Sequence, residues 1–383
     1  MKILVISKCP THPTTAGNRW AVLAQANILA SLGCEIYFLF IDERPLRKDA
    51  TLYEEDFQKT KAYWGNRFFH LRISKAEKFR FNAMKVFNTK FRNGYQSCDV
   101  NYPHALTAMV NRIDEQYHFD ACIVNYYYLT KLFEHVRIPK KALHTHDCIA
   151  YKDLKIGEKT MCIDANTEAK AMQRSPYIFA LQDEEAAYFQ LLSPRSKVYN
   201  IYSKYEYQSQ PTTNNHNILF LSGNNGFNQN GIRWFVDDVF PFIREKFEDT
   251  RLLIGGAICN TMKDLKDVAG VKLLGFVDKL SDFYRLGDVA INPVFQGTGL
   301  KIKTFEAISY DKVTLVHPHS MAGIFHKDRA PLFASDKPEE WVGFLKQVWE
   351  KPGFIPAWKE RNKAYMERLD SYVISEYKRF IKE

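Results

Sequence analysis

The chain has 383 residues, more than one ordinary core accommodates and enough for two domains of about 150–200 residues each. Hydrophobic residues make up 46% of it, which excludes a globally disordered chain and lets both domains bury a core. The net charge of +9 is unevenly spread, so an anionic partner is sought where the basic residues gather. Cys9, Cys34, Cys98, Cys122, Cys148, Cys162 and Cys259 form no CxxC pair, and their number is odd. That pattern argues against a zinc knuckle, a redox motif or a disulfide framework and fits a reducing, cytoplasmic compartment. The opening residues 1–7 are apolar for the length of a strand only, and no run approaches the ~20 apolar residues of a membrane span.

In chain order, strands are predicted at 2–7, 35–41, 120–125, 141–145, 177–181 and 197–201. Residues 18–32 carry Val22, Leu23, Ala26, Leu29 and Ala30 at helical spacing, and Gly33 stops that helix. Strand, helix, strand in this order predicts a parallel sheet with right-handed crossovers. Between residues 58 and 93 lie Lys59, Lys61, Arg67, Arg72, Lys75, Lys78, Arg80, Lys85, Lys90 and Arg92, with Glu77 the sole acid and eight aromatic residues interleaved. Two readings stand: a solvated helical hairpin with a buried aromatic face, or a surface for an anionic partner such as a membrane or a charged glycan. No nucleic-acid-binding motif accompanies the segment, so no nucleic-acid partner is expected.

Residues 203–216 are polar and aperiodic and read as a linker. A second series of strands follows at 218–222, 251–254, 271–274, 288–292 and 313–316. The expected organisation is a first domain over 1–202, a linker over 203–216, a second domain over 217–355, and a charged amphipathic helix over 356–383 returning to the first domain.

Ligands of open parallel sheets bind beyond the carboxyl ends of the strands, so the residues just after each strand are the candidates. After the first strand, a polar loop ends in Gly17, Asn18 and Arg19 at a helix start, where a backbone can approach an anion. It is not a GxGxxG fingerprint. His144, Thr145, His146 and Asp147 follow another strand. A metal is not expected there, because no third ligand has evident spacing; a hydrogen-bonded His–Asp cluster is. Residues 222–231 are crowded with glycine and amide side chains, including Gly223, Asn224 and Asn230, and no GK[ST] follows to make a P-loop. The most informative stretch runs from Asn292 through Gly297, Thr298, Gly299, Leu300, Lys301 and Lys303 to Glu306. Two lysines at a helix start oppose the helix dipole and call for a compensating anion, for which a diphosphate is suited.

At these residues the sequence resembles the retaining GT-B glycosyltransferases of family 4. GNNGFNQNGIRWFVDDVFP (223–241), GFVD (275–278) and GTGLKIKTFEA (297–307) carry the resemblance in the second half; Gly17-Asn18-Arg19 and Thr145-His146-Asp147 carry it in the first. It implies a GT-B fold, two tandem Rossmann-like doubly wound domains facing across a cleft. It also implies a nucleotide-sugar donor, UDP being the commonest nucleotide, and a glycan or lipid-linked glycan acceptor. The implied setting is bacterial-type surface polysaccharide or glycoconjugate synthesis at the cytoplasmic face of the membrane, with no metal or other cofactor. By the same resemblance, Gly17, His146 and Lys303 form the catalytic set. The resemblance also assigns Gly299, Leu300 and Glu306 to the donor; the loops around them add Gly223, Asn224, Asn230, Gly297, Thr298 and Lys301 as donor-binding candidates, and Asn18, Arg19 and Asp147 are the acceptor-side candidates. Two positions depart from the family pattern. Thr298 stands where many members carry an acid eight residues before the ribose-binding glutamate, and Asn224, Asn225 and Asn230 stand where many carry an Arg/Lys pair. A nucleotide-sugar epimerase and a non-catalytic sugar-nucleotide-binding protein share the architecture and are the alternatives.

Overall fold

The computed structural model describes residues 1–14, 17–43, 50–92, 94–150, 163–297 and 299–383. It divides into two units, one formed by Met1–Ser203 with Val373–Glu383 and the other by Lys204–Tyr372.

The first unit is built on seven strands: β1 (Lys2–Ser7), β2 (Glu35–Asp42), β3 (Phe68–Arg72), β4 (Ala121–Asn125), β5 (Lys140–His144), β6 (Tyr177–Ala180) and β7 (Lys197–Asn200). Their order is β3-β2-β1-β4-β5-β6-β7, and every pairing is parallel. A parallel sheet covered on both faces needs strands apolar on both faces. The central strands meet that need: Ile3, Leu4, Val5 and Ile6 of β1 and Ala121 to Val124 of β4 are wholly buried. The helix after β1 spans Gly17–Ser31. It ends as expected: Gly33 takes φ 85°, which lets the Cys34 N–H return to the Leu29 carbonyl at 3.1 Å.

The second unit carries six strands: β8 (Asn217–Leu221), β9 (Arg251–Gly255), β10 (Val271–Gly275), β11 (Val289–Asn292), β12 (Val313–Val316) and β13 (Leu332–Ala334). They are ordered β10-β9-β8-β11-β12-β13, again all parallel. In each sheet the chain runs outward from one central strand and then returns to build on its other side. That reversal falls between β1 and β4 in the first unit and between β8 and β11 in the second. The helices after neighbouring strands diverge at such a point and leave a crevice beyond the strand ends.

Eleven of the thirteen strands match the sequence reading to within a residue or two. The two it lacks, β3 and β13, are edge strands, only partly buried and without the continuous apolar runs of the centre. β3 also corrects the basic, aromatic segment: residues 58–93 are not a helical hairpin. A strand separates the Ala50–Trp64 and Lys75–Phe91 helices.

Residues 203–216 hold no helix or strand, yet they are fastened to the second unit. The Asp288 carboxylate accepts the Thr213 and Asn214 N–H groups, each at 2.9 Å, and Lys359 Nζ donates to the Gln210 carbonyl at 2.9 Å. The C-terminal stretch is one 29-residue helix, Phe354–Lys382. Pro356 sits in its first turn, where a missing N–H breaks no helical bond. Its last turns pack on β6 through Phe380 and Tyr377 against Phe179, and Lys140 Nζ donates to the Phe380 and Ile381 carbonyls. A lysine is well placed at that negative end of the helix dipole.

Candidate functional site

At the reversal point of the second sheet, the loops after β8 and β11 enclose a cavity of ≈ 200 Å³. Sites that enclose a whole small ligand run to about 300–1,000 Å³, so this one accommodates part of a larger molecule. Asn225, Asn228, Asn292, Gly297, Lys301 and Lys303 are among its lining residues.

Two helix starts converge on it. The Gly226–Trp234 helix is capped by Asn225, whose side-chain oxygen accepts the Asn228 N–H at 2.9 Å. The Ile302–Ser309 helix opens beside it with Lys301 at the cap position. Gly231 allows the approach: a Cβ there would meet Val294 Cα at 2.9 Å and the Pro293 carbonyl at 3.0 Å. Gly297 turns the loop at φ 100°, and His319 Nε2 holds its carbonyl oxygen at 3.0 Å.

The charge at the site is positive and partly desolvated. Lys301 is buried, and Lys303 Nζ donates to Asn228 Oδ1 at 2.8 Å. Asn228 Nδ2 in turn donates to the Gly223 carbonyl at 2.9 Å, which fixes the amide with its oxygen toward the lysine. Burial lowers the Lys303 pKa from its ordinary 10.5 to about 8; nearby Glu306 opposes the fall and Lys301 adds to it. Burial likewise raises the Glu306 carboxyl, against the pull of Tyr284 and Lys303. Tyr284 Oη donates to Glu306 Oε1 at 2.8 Å and sets its orientation. Asn292 Nδ2 is spent on Thr304 Oγ1 at 2.9 Å, whereas its buried oxygen has no partner among the described residues. An unpaired buried amide oxygen on a cavity wall is an acceptor for a ligand hydroxyl or N–H.

Of the residues singled out from sequence, Gly297, Leu300, Lys301 and Lys303 line the cavity. Glu306 lies one turn along the helix. Asn224 is tied to Gln229 and Thr261 outside the cavity lining, and Asn230 to Gln296. Thr298 lies outside the described residues. Gly223 contributes its carbonyl to Asn228, and Gly299 takes φ 77° in the loop. Asn228 and Tyr284 are site residues that sequence reading missed, whereas the sequence marks Asn292 only as the end of a strand. Asn228 had one legible signal: it stands at the third position of a capped helix start, on the same loop as the named asparagines.

In the first unit, the candidate residues gather at the ends of β1, β4 and β5. His146 takes φ 69°, so the backbone turns out of the extended conformation just after β5. Both rings nevertheless converge on Asn125: Oδ1 lies 3.2 Å from His144 Nδ1 and 2.8 Å from His146 Nε2. Asn125 Nδ2 donates to the Ile6 carbonyl at 3.1 Å, so its oxygen is the acceptor and both histidine nitrogens donate. Burial pushes the His144 pKa down to about 3, and burial followed by repulsion from His144 lowers that of His146 well below the usual imidazole value. Both rings are therefore neutral at physiological pH. His146 stacks on Tyr126 with centroids 4.3 Å apart. Gly17 opens the Gly17–Ser31 helix, and Asn18 Nδ2 lies 3.1 Å from Cys9 Sγ. Arg19 is engaged by Asp56 at 2.8 Å, and Asp147 accepts the N–H of Cys148. Among the described residues, no group of three or more His, Cys, Asp or Glu side chains is placed to hold a metal ion, and no helix is long and apolar enough to cross a membrane.

Residues 215–351, which supply the whole cavity, match the sequence profile of glycosyl transferases group 1. Over these residues the chain is similar to that family. Solved structures extend the likeness along the rest. Sucrose-phosphate synthase from Thermosynechococcus elongatus superposes with a TM-score of 0.66 at 11% identity, covering 100% of this chain and 98% of that one. Anabaena Alr3699/HepE, solved in complex with UDP, gives 0.65 at 12% identity with 100% of both chains covered. The pneumococcal O-GlcNAc transferase GtfA, solved with UDP and GlcNAc, gives 0.65 at 11% identity over 100% of this chain and 98% of that one. No curated protein sequence matches the chain. Identities this low establish architecture: two parallel-sheet Rossmann-like units, the GT-B fold of glycosyltransferases. Lys301 and Lys303 thus lie within the matched stretch, at the reversal point of the second sheet.

Proposed function

We propose that the protein transfers a sugar from a nucleoside diphosphate sugar, a UDP-sugar, to a hydroxyl of a glycan or lipid-linked glycan, with retention of anomeric configuration. The observation that carries this reading is the partly desolvated Lys303, held by Asn228 beside buried Lys301 where two helix starts meet. Burial disfavours that ammonium even with Glu306 nearby, and a diphosphate relieves it. The UDP complex of Alr3699/HepE and the UDP and GlcNAc complex of GtfA support the choice of nucleotide.

In this reading the acceptor oxygen bonds to the anomeric carbon as the bond from that carbon to the diphosphate oxygen breaks. The electron pair leaves with the diphosphate, and the acceptor proton passes to the departing phosphate. Negative charge grows on the leaving group, so fixed positive charge and helix N–H groups aimed at it lower the barrier. Lys303 and Lys301 supply the charge, and no metal is assigned a role. Glu306, oriented by Tyr284, accepts hydrogen bonds from the ribose diol. Neutral His146 and the Gly17 backbone are assigned to the transferred sugar, and the first unit to the acceptor, in surface polysaccharide or glycoconjugate synthesis at the inner face of a membrane.

The test is incubation with UDP-sugars with and without candidate acceptors, following UDP release and the anomeric configuration of the product. Acceptor-dependent UDP release with retention is expected. Interconversion of the sugar without any acceptor would identify an epimerase instead, and tight binding without turnover on every acceptor would identify a binding protein.

A further inference from the structure

The Lys75–Phe91 helix of the first unit is anchored on one side, and on the other it exposes large apolar side chains that nothing among the described residues covers. Ser74 caps its start by accepting the Glu77 N–H, Phe81 and Asn88 are buried beneath it, and Asn88 Nδ2 reaches Gln96 at 3.3 Å. Its outward side carries Phe79 at 76% exposure, Val86 at 67%, Phe87 at 58% and Phe91 at 65%. At about 100° per residue, these four fall within one arc of about 140°, opposite Phe81 and Asn88, with Ala76 and Ala83 between them. The Phe87 and Phe91 rings are in tilted contact, with centroids 4.7 Å apart. Large apolar side chains so exposed and so contiguous mark a surface that something covers.

The charges decide what covers it. Of the helix's four lysines, Lys90 lies within the exposed arc and Lys75 at its edge, whereas Lys78 and Lys85 fall on the inward side; its acid, Glu77, is engaged by Arg80 at 3.0 Å and by the His104 N–H at 3.0 Å. Lys90 falls in the middle of the aromatic arc. At the centre of a protein–protein interface that ammonium would be desolvated without an acid of this helix beside it, and lysine is depleted from such centres. At a bilayer surface the same side chain extends to the phosphates while the rings beside it enter the acyl boundary.

We infer that the outward face of the Lys75–Phe91 helix is a docking surface for an anionic lipid bilayer, with Phe79, Val86, Phe87 and Phe91 inserting and Lys75 and Lys90 pairing with headgroup phosphates. This deepens, and rests on, the membrane location proposed above: attachment runs through one interfacial helix, and no segment need span the membrane.

The test uses the full chain with vesicles of phosphatidylglycerol mixed with phosphatidylcholine, and of phosphatidylcholine alone, in low salt. Sedimentation with the anionic vesicles is expected, with at least about a hundredfold weaker partitioning for the triple variant Phe79→Ser, Phe87→Ser, Phe91→Ser. Phe87→Trp, a conservative change, should show added quenching by bromine-labelled anionic lipid relative to the parent. The thermal shift produced by UDP should stay unchanged in all variants, since it reports the donor cavity alone. Absence of sedimentation with anionic vesicles at low salt overturns the inference while leaving the donor reading intact. So does binding that the serine variant keeps, because contact is then electrostatic only. A dimer in size-exclusion chromatography that the serine variant abolishes, without vesicle binding, assigns the face to a second copy of the chain and also overturns it.

Discussion

Replacing Lys303 with methionine keeps the length of the side chain and removes its charge. In the ligand-free protein, the fall of its pKa from 10.5 to about 8 corresponds to about 3 kcal/mol of unfavourable burial of the ammonium at neutral pH. The substitution removes that term and also the bond to Asn228 Oδ1, whose loss in a buried setting costs about 1–3 kcal/mol. The two nearly cancel, so Lys303→Met should be as stable as the parent or more stable by up to about 2 kcal/mol. Its response to UDP should collapse. One ammonium about 4 Å from a phosphate charge is worth up to about 4 kcal/mol at an effective dielectric near 20. Affinity should then fall between about thirtyfold and a thousandfold. At a UDP concentration about 100 times the parent's Kd, the parent gains about 2.7 kcal/mol, and a hundredfold weaker variant only about 0.4 kcal/mol. Differential scanning fluorimetry with and without UDP reads both effects. pH adds a second check. The folded pKa lies below the unfolded one, so the native state releases this proton first, and parent stability rises between about pH 8 and 10.5 on this account. UDP binding needs the ammonium, so parent affinity should weaken about tenfold from pH 7 to pH 9. The methionine variant should show neither trend. A variant clearly less stable than the parent, or one that still responds to UDP, would refute the reasoning.

Lys303→Ala should lower kcat more than it raises the donor KM, because its contact strengthens as charge develops on the leaving diphosphate; a steady-state comparison decides, and a change confined to KM counts against a transition-state role. Asn228→Asp keeps the shape but sets a carboxylate against Lys303 and forfeits the donor to the Gly223 carbonyl. UDP affinity should fall at least about tenfold and lose its decline between pH 7 and 9, read by calorimetry across that range. Glu306→Gln should lose about tenfold in affinity for UDP but much less for 2′,3′-dideoxy-UDP, and Tyr284→Phe should show a weaker version of the same pattern, since the tyrosine only orients the carboxylate. Gly231→Ala pushes a methyl group into the Val294 backbone at 2.9 Å. Chemical denaturation should show a loss of about 1–3 kcal/mol, with weaker UDP binding as the loop after β11 moves.

The parallel sheets were legible in the chain because strands buried on both faces are written as unbroken apolar runs, Ile3 to Ile6 being the clearest, and because Gly33 marks a helix end through its own backbone freedom. The two edge strands were not legible: β3, with a histidine and an arginine in its five residues, is a strand chiefly because β2 offers it a hydrogen-bonding edge. The lysine pair before Glu306 was equally readable, since charge against a helix dipole is a local conflict visible in one dimension. What sequence could not decide is which amide meets Lys303. Several asparagines crowd the loop after β8, and selecting Asn228 requires the position of a helix that starts about seventy-five residues later. The same holds for Asn125, which gathers His144 and His146 only because β4 lies beside β5 and the backbone turns left-handed at His146. Local chemistry fixes which residue types a segment offers. Their partners, and hence their protonation and direction, are set by contacts between strands and loops far apart in the chain.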